Sequence, residues 1–200
     1  MKRSLLSVFS VVCFAAAASQ VSAQAINGRA TGLSVPQYTI DFNSHTVGLL
    51  PGIVNDVNMN TWEVGGPGAG GSSFSTNAIY NFGRQACCLN PTTISFTQAV
   101  NGVAFNLVTN RTTSAFSAFL GTNLVYSFSG STENSATTNS LWFGFENISF
   151  DRISVDAVGT NGAQGIDNIQ VSAVPEPSSV ALIATGLIAL GFAARRRRTV

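Results

Sequence analysis

Lysine is nearly missing from this 200-residue chain: Lys2 is the only one, and His45 is the only histidine. Between Gln24 and Ala173 four arginines, Arg29, Arg84, Arg111 and Arg152, stand against eight carboxylates. The formal net charge of +1 therefore belongs to the ends, to Lys2 and Arg3 and to Arg195 through Arg198. What lies between is weakly acidic and has no basic patch. Such a surface has nothing with which to neutralise successive phosphates, so nucleic acid is excluded as a partner. A single histidine also leaves a histidine-based metal centre short of ligands. Ser44 and Asp41 lie near His45 in sequence, but a lone loop histidine is a commoner finding than a catalytic triad.

Cysteine is scarce as well. Cys13 falls in the N-terminal apolar run, which leaves the adjacent pair Cys87 and Cys88. Neighbouring cysteines cannot staple distant segments, so a vicinal disulfide, two free thiols and a link between chains all stay open, with an oxidising compartment favouring the first or the last. Sustained 3.6-residue periodicity is absent between Tyr38 and Val171, which argues against a helical body. Long apolar runs are confined to the two termini.

Those termini are legible. Lys2 and Arg3 precede an apolar stretch from Leu5 to Ala18, and Val21, Ser22 and Ala23 put small residues where a signal peptidase cuts. This pattern predicts a secretory signal over residues 1–23 and a mature start at Gln24. At the other end Val174, Pro175, Glu176 and Pro177 break regular structure, because proline removes a donor and restricts the residue before it. Sixteen uncharged residues follow from Ser179 to Ala194, then Arg195, Arg196, Arg197 and Arg198. As a helix that run is ~24 Å long at 1.5 Å per residue, a slightly short membrane span. The four arginines hold its end in the cytoplasm, so the body lies outside.

A Val-Pro-Glu-Pro motif, one apolar helix and a terminal arginine cluster, in that order, closely resemble the PEP-CTERM sorting signal of Gram-negative bacteria. The resemblance covers residues 174–200. It implies an intermediate anchored in the inner membrane, recognition of Val174 to Pro177 by an exosortase, and delivery to the cell surface or beyond, often in bacteria that make exopolysaccharide.

The remaining body, residues 24–173, is about 150 residues, enough for one domain. Its short alternating runs predict an all-β fold, a single β-sandwich. Val103, Phe105 and Leu107 share one strand face; Leu124, Tyr126 and Phe128 another; Leu141, Phe143 and Phe145 a third; Ile94 and Phe96 a shorter one. Within Ile148 to Val155 and Ile166 to Val171 the apolar phase slips by one, which fits a bulge or a turn. Gly66, Gly68 and Gly71 formally spell a dinucleotide fingerprint, but no βαβ unit surrounds them and they read as a loop. The segments Ile40-Asp41-Phe42 and Gly165 to Ile169 resemble the first and last strands of jelly-roll domains in surface and carbohydrate-binding proteins.

Candidate chemistry is sparse. Trp142 alternates with the apolar face of its strand and so points outward beside Glu146, and Trp62 adjoins Glu63. An outward indole near a carboxylate suits stacking on a sugar ring, against the alternative that each is buried under a loop or second sheet. Jelly rolls bring their first and last strands together, so Asp41 and Asn43 are expected near Asp167 and Asn168, either as turn caps or as ligands of a structural calcium. Glu63, Glu133, Glu146, Asp151 and Asp156 hold carboxylates for a glycosidase pair, but sequence supplies no separation between them. The reading is thus a non-enzymatic exported protein that meets signal peptidase and exosortase and binds exopolysaccharide. The alternative is a secreted hydrolase acting on polysaccharide through a carboxylate site.

Overall fold

Residue alternation between apolar and polar becomes strand structure over most of the described residues of the body. The computed structural model describes residues 22–45, 47–49, 53–54, 57–58, 63–69, 73–81, 91–132, 141–157, 163–173, 185–186 and 189. Twelve strands among them form one hydrogen-bonded sheet in which every pairing is antiparallel. They are β1 (Gln24–Arg29), β2 (Tyr38–Ile40), β3 (Gly48–Leu49), β4 (Ile53–Val54), β5 (Val57–Asn58), β6 (Glu63–Gly65), β7 (Ala78–Tyr80), β8 (Thr92–Thr109), β9 (Thr113–Leu120), β10 (Asn123–Ser131), β11 (Trp142–Ala157) and β12 (Gln164–Ala173).

Two long strands, β8 and β11, explain how one sheet makes a core with two sides. Their ladder runs from Trp142 opposite Asn106 to Glu146 opposite Gly102, shifts register, and resumes from Arg152 opposite Ser95 to Val155 opposite Thr92. Asn147 takes a left-handed φ of 62° within the shift. Bulges of this kind bend a strand and let it pass from one packed layer to the other. In the first layer the strands are flanked by β1 on one side and by β12 on the other, with β2 and β7 beyond. In the second they are flanked by β9 and β10 and by β5.

The core fills the space between the layers with phenylalanine. Phe105, Phe143 and Phe145 come from the first layer, Phe96 and Phe116 from the second, and Phe150 from the bend. Phe116 stacks on Phe143 at 5.4 Å and on Phe128 at 4.7 Å, while Phe150 meets Phe145 and Phe96 edge to face. Each such side chain contributes about 1.5–3 kcal/mol by leaving water.

The expected faces hold with two corrections. Val103, Phe105, Leu107, Ile94, Phe96, Phe143 and Phe145 are buried as read. Leu124 is 56% exposed, because a register shift between Leu124 and Tyr126 turns it to the outer face while Tyr126 and Phe128 pack inward. Leu141 precedes β11 and is exposed too. Both predicted phase slips are bulges, the second lying between Asp167 and Gln170, where Asn168 has φ 53°. The glycine-rich segment closes a turn, with Gly68 at φ 70° donating to the Phe74 carbonyl at 2.9 Å. Among the described residues no helix is long and apolar enough to cross a membrane, and nearly all of residues 179–194 lie outside them.

Candidate functional site

Trp142 opens β11 on the outer side of the first layer, since its neighbour Phe143 is buried in the core. Glu146 follows four residues on and shares that side, as the two-residue period requires. The indole is half-buried. What covers it is the chain after β1: a side-chain carbon built on Gly32 would sit 2.7 Å from Trp142 Cε3 and 2.1 Å from Gln170 Oε1. Leu33 pins this strap by donating its N–H to Gln170 Oε1 at 2.8 Å, and Gln37 donates to the Val171 carbonyl at 2.8 Å. Glu146 is joined to Arg29 by an ion pair, and Arg29 also donates to the Ala25 carbonyl at 2.9 Å. Of the expected sugar contacts, Trp142 and Glu146 therefore share one face. Trp62 lies outside the described residues. Gly32 and Gln170 had no local signal, because their role exists only once β1 and β12 flank β11 and β8.

The expected meeting of the first and last segments also takes place. Ile40 pairs with Ile169 and Tyr38 with Val171. Asp167 is buried, accepts the Thr76 hydroxyl at 3.0 Å on Oδ2 and the Asn168 N–H at 2.7 Å on Oδ1. Burial pushes its carboxyl up to about 6, the two hydrogen bonds oppose that rise, and the nearby Asp41 carboxylate adds to it. Asp41 accepts from Asn43 through both N–H and side-chain amide, at 3.2 and 3.1 Å. The Asn168 amide donates to Asn106 Oδ1 at 3.0 Å. Asp41 and Asp167 thus approach as like charges, each already accepting hydrogen bonds from its neighbours. Among the described residues no group of three His, Cys, Asp or Glu gathers as a metal cluster.

The other carboxylates and the histidine are placed separately. Asp151 accepts the Gly121 N–H at 2.9 Å, and Asp156 lies on β11 in the second layer. His45 packs its ring 5.8 Å from Phe42, and its Nδ1 has no partner among the described residues. Cys87, Cys88, Glu133, Val174 to Pro177 and Arg195 to Arg198 lie outside the described residues.

The last strand, β12, ends at Ala173, where the proline motif begins in sequence. Residues 173–198 match the PEP-CTERM protein-sorting motif. The sorting motif marks the chain as one exported to the cell surface by way of an exosortase. It occupies the tail alone. No curated protein matches the chain in sequence. Among solved structures the chain is similar to a family 6 carbohydrate-binding module whose binding sub-sites were dissected by crystallography and isothermal titration calorimetry. The similarity has 17% identity and a TM-score of 0.37, and covers 68% of this chain and 94% of that one.

Proposed function

We propose that this chain is a non-catalytic cell-surface protein of a Gram-negative bacterium, exported by a signal peptide, held briefly in the inner membrane, and released by an exosortase so that its β-domain can hold exopolysaccharide. The observation that carries the reading is the sorting motif over residues 173–198, which starts at the last residue of β12. A domain whose chain leaves a packed strand directly into the motif presents the cleavage segment with no spacer. Expressed with a matching exosortase, the surface form lacks residues 1–23 and the tail beyond Pro175 to Pro177. Mass spectrometry of the recovered protein tests this, and an intact end carrying Arg195 to Val200 reduces the tail to a plain anchor.

The glycan reading draws on Trp142 and Glu146, which share the outer side of one strand, and on a body with few charges. Replacing Trp142 with Ala is expected to weaken retention on polysaccharide without unfolding the domain. Asp41, just after β2, and Asp167 on β12 suit a structural calcium, since they are hard oxygen donors whose mutual repulsion a cation relieves, with Asn43, Asn168, carbonyls and water completing six to eight ligands. Melting in chelator against millimolar calcium tests it; identical curves leave Asp41 and Asp167 as turn caps.

A further inference from the structure

The outer face of the second layer carries an arrangement that neither the sorting motif nor the Trp142 face explains. Burial separates its two sides cleanly. Ile94, Phe96, Phe116, Ala118, Ile153 and Val155 point into the core, so the residues between them point out. Strand register then lines those outward residues up across four neighbouring strands. Ser127 of β10 stands opposite Ser117 of β9, Ser117 opposite Ser154 of β11, and Ser154 opposite Thr93 of β8. Every position in this row is a hydroxyl. The adjoining row reads Leu124, Phe119, Arg152 and Ser95, with the Arg152 guanidinium 4.5 Å from the centre of the Phe119 ring. On the far side of the hydroxyl row Ser129 and Asp156 both face Ala115.

Sheet geometry sets the spacings. Hydroxyls within a row fall about 5 Å apart, one per strand, and successive rows about 7 Å apart, two residues along each strand. Thr93 and Ser127 are exposed, and Ser117 and Ser154 are half-buried in the pleat between their neighbours. Among the described residues these rows hold one cation, Arg152, and one anion, Asp156. The platform thus attracts neither a polyanion nor a polycation. Its apolar content, Leu124 and Phe119, is one corner rather than the aromatic-rich centre of a protein interface. Hydroxyls both donate and accept, which suits a partner that itself presents a regular array of hydroxyls.

We propose that this face docks an extended neutral polysaccharide laid across the strands, with sugar hydroxyls meeting the Ser127, Ser117, Ser154, Thr93 row and a ring C–H face resting on Phe119 and Leu124. The proposal rests on the glycan reading above and gives it a site distinct from Trp142. Because each exchange of a water for a sugar hydroxyl gains little, affinity comes from many repeats along a polymer rather than from one sugar.

The test is retention of the full-length chain, kept in detergent, on microcrystalline cellulose, insoluble xylan and insoluble mannan, with soluble cellobiose as competitor. Ser117→Val with Ser154→Val removes two central hydroxyls while keeping residues that favour strands. Retention on at least one of the three polymers is expected to fall about tenfold or more in the double variant, to be weakened only in part by Trp142→Ala, and to resist millimolar cellobiose. A thermal melt of each variant separates lost binding from lost fold, and Thr93→Glu, a charge at an exposed position of the same row, supplies a second variant should the valines disturb folding. Retention lost in Trp142→Ala but unchanged in the folded variants of the row overturns the platform and leaves the glycan reading standing. No retention of the wild-type chain on any of the three polymers overturns both.

Discussion

The Asp167 carboxylate accepts a 3.0 Å hydrogen bond from the Thr76 hydroxyl, ninety-one positions away in sequence, and lies buried beside the charge of Asp41. A carboxyl raised from 3.8 to about 6 in the folded state binds its proton more tightly there than in the unfolded chain. Its contribution to stability is therefore complete below the unfolded value near 3.8 and is lost as pH rises through about 6. In chelator the domain is expected to gain stability between pH 7 and pH 4 from this group, by up to about 3 kcal/mol. Asp167→Asn removes that slope, which melts across the pH range detect. Millimolar calcium, if bound by the ionised pair, flattens it as well.

Phe116 is fully buried and stacked between Phe128 and Phe143. Phe116→Ala removes the ring that ties the second layer to the first through Phe143 and supports Phe128 beside it. A loss of about 3–5 kcal/mol is expected, read as a shift in denaturant midpoint. A loss under 1 kcal/mol means that the layers are held together elsewhere.

Gly144 sits between Phe143 and Phe145 at φ 149°, and a side-chain carbon there would fall 2.0 Å from the Val103 carbonyl oxygen. The obstacle is backbone in the middle of the β8–β11 ladder, so it cannot swing aside. Gly144→Ala is expected to cost at least the 1–3 kcal/mol of a strained backbone position, and soluble yield with a melting curve checks it. Gly121→Ala is the control: it also has positive φ but nothing within 4 Å, so it loses less.

Several of these relationships were legible before the fold was known. Alternation alone placed Val103, Phe105, Leu107, Phe143 and Phe145 inside, and the slipped phase after Ile148 marked the bulge that bends β11. Leu124 escaped because a single extra residue, Val125, reverses the face, and nothing local announces it. The strap over Trp142 escaped for another reason: outward alternation says which side of its own strand a side chain takes, not what a distant segment lays over that side. The serine and threonine row is the clearest case. Ser127 and Ser129 alternate visibly in one strand, but their neighbours Ser117, Ser154 and Thr93 come from strands whose order in the sheet is not their order in sequence.

The direct passage from β12 into the sorting motif also determines how load enters the domain. While the tail is held by the membrane, any drag on the exported body is drawn through Ala173. That residue ends a strand hydrogen-bonded to β8 on one side and to β2 and β7 on the other. A pull along such a strand opposes both neighbouring ladders together in shear, instead of peeling one edge bond by bond. Load on the anchored chain is therefore shared between two ladders rather than carried by a single sheet edge.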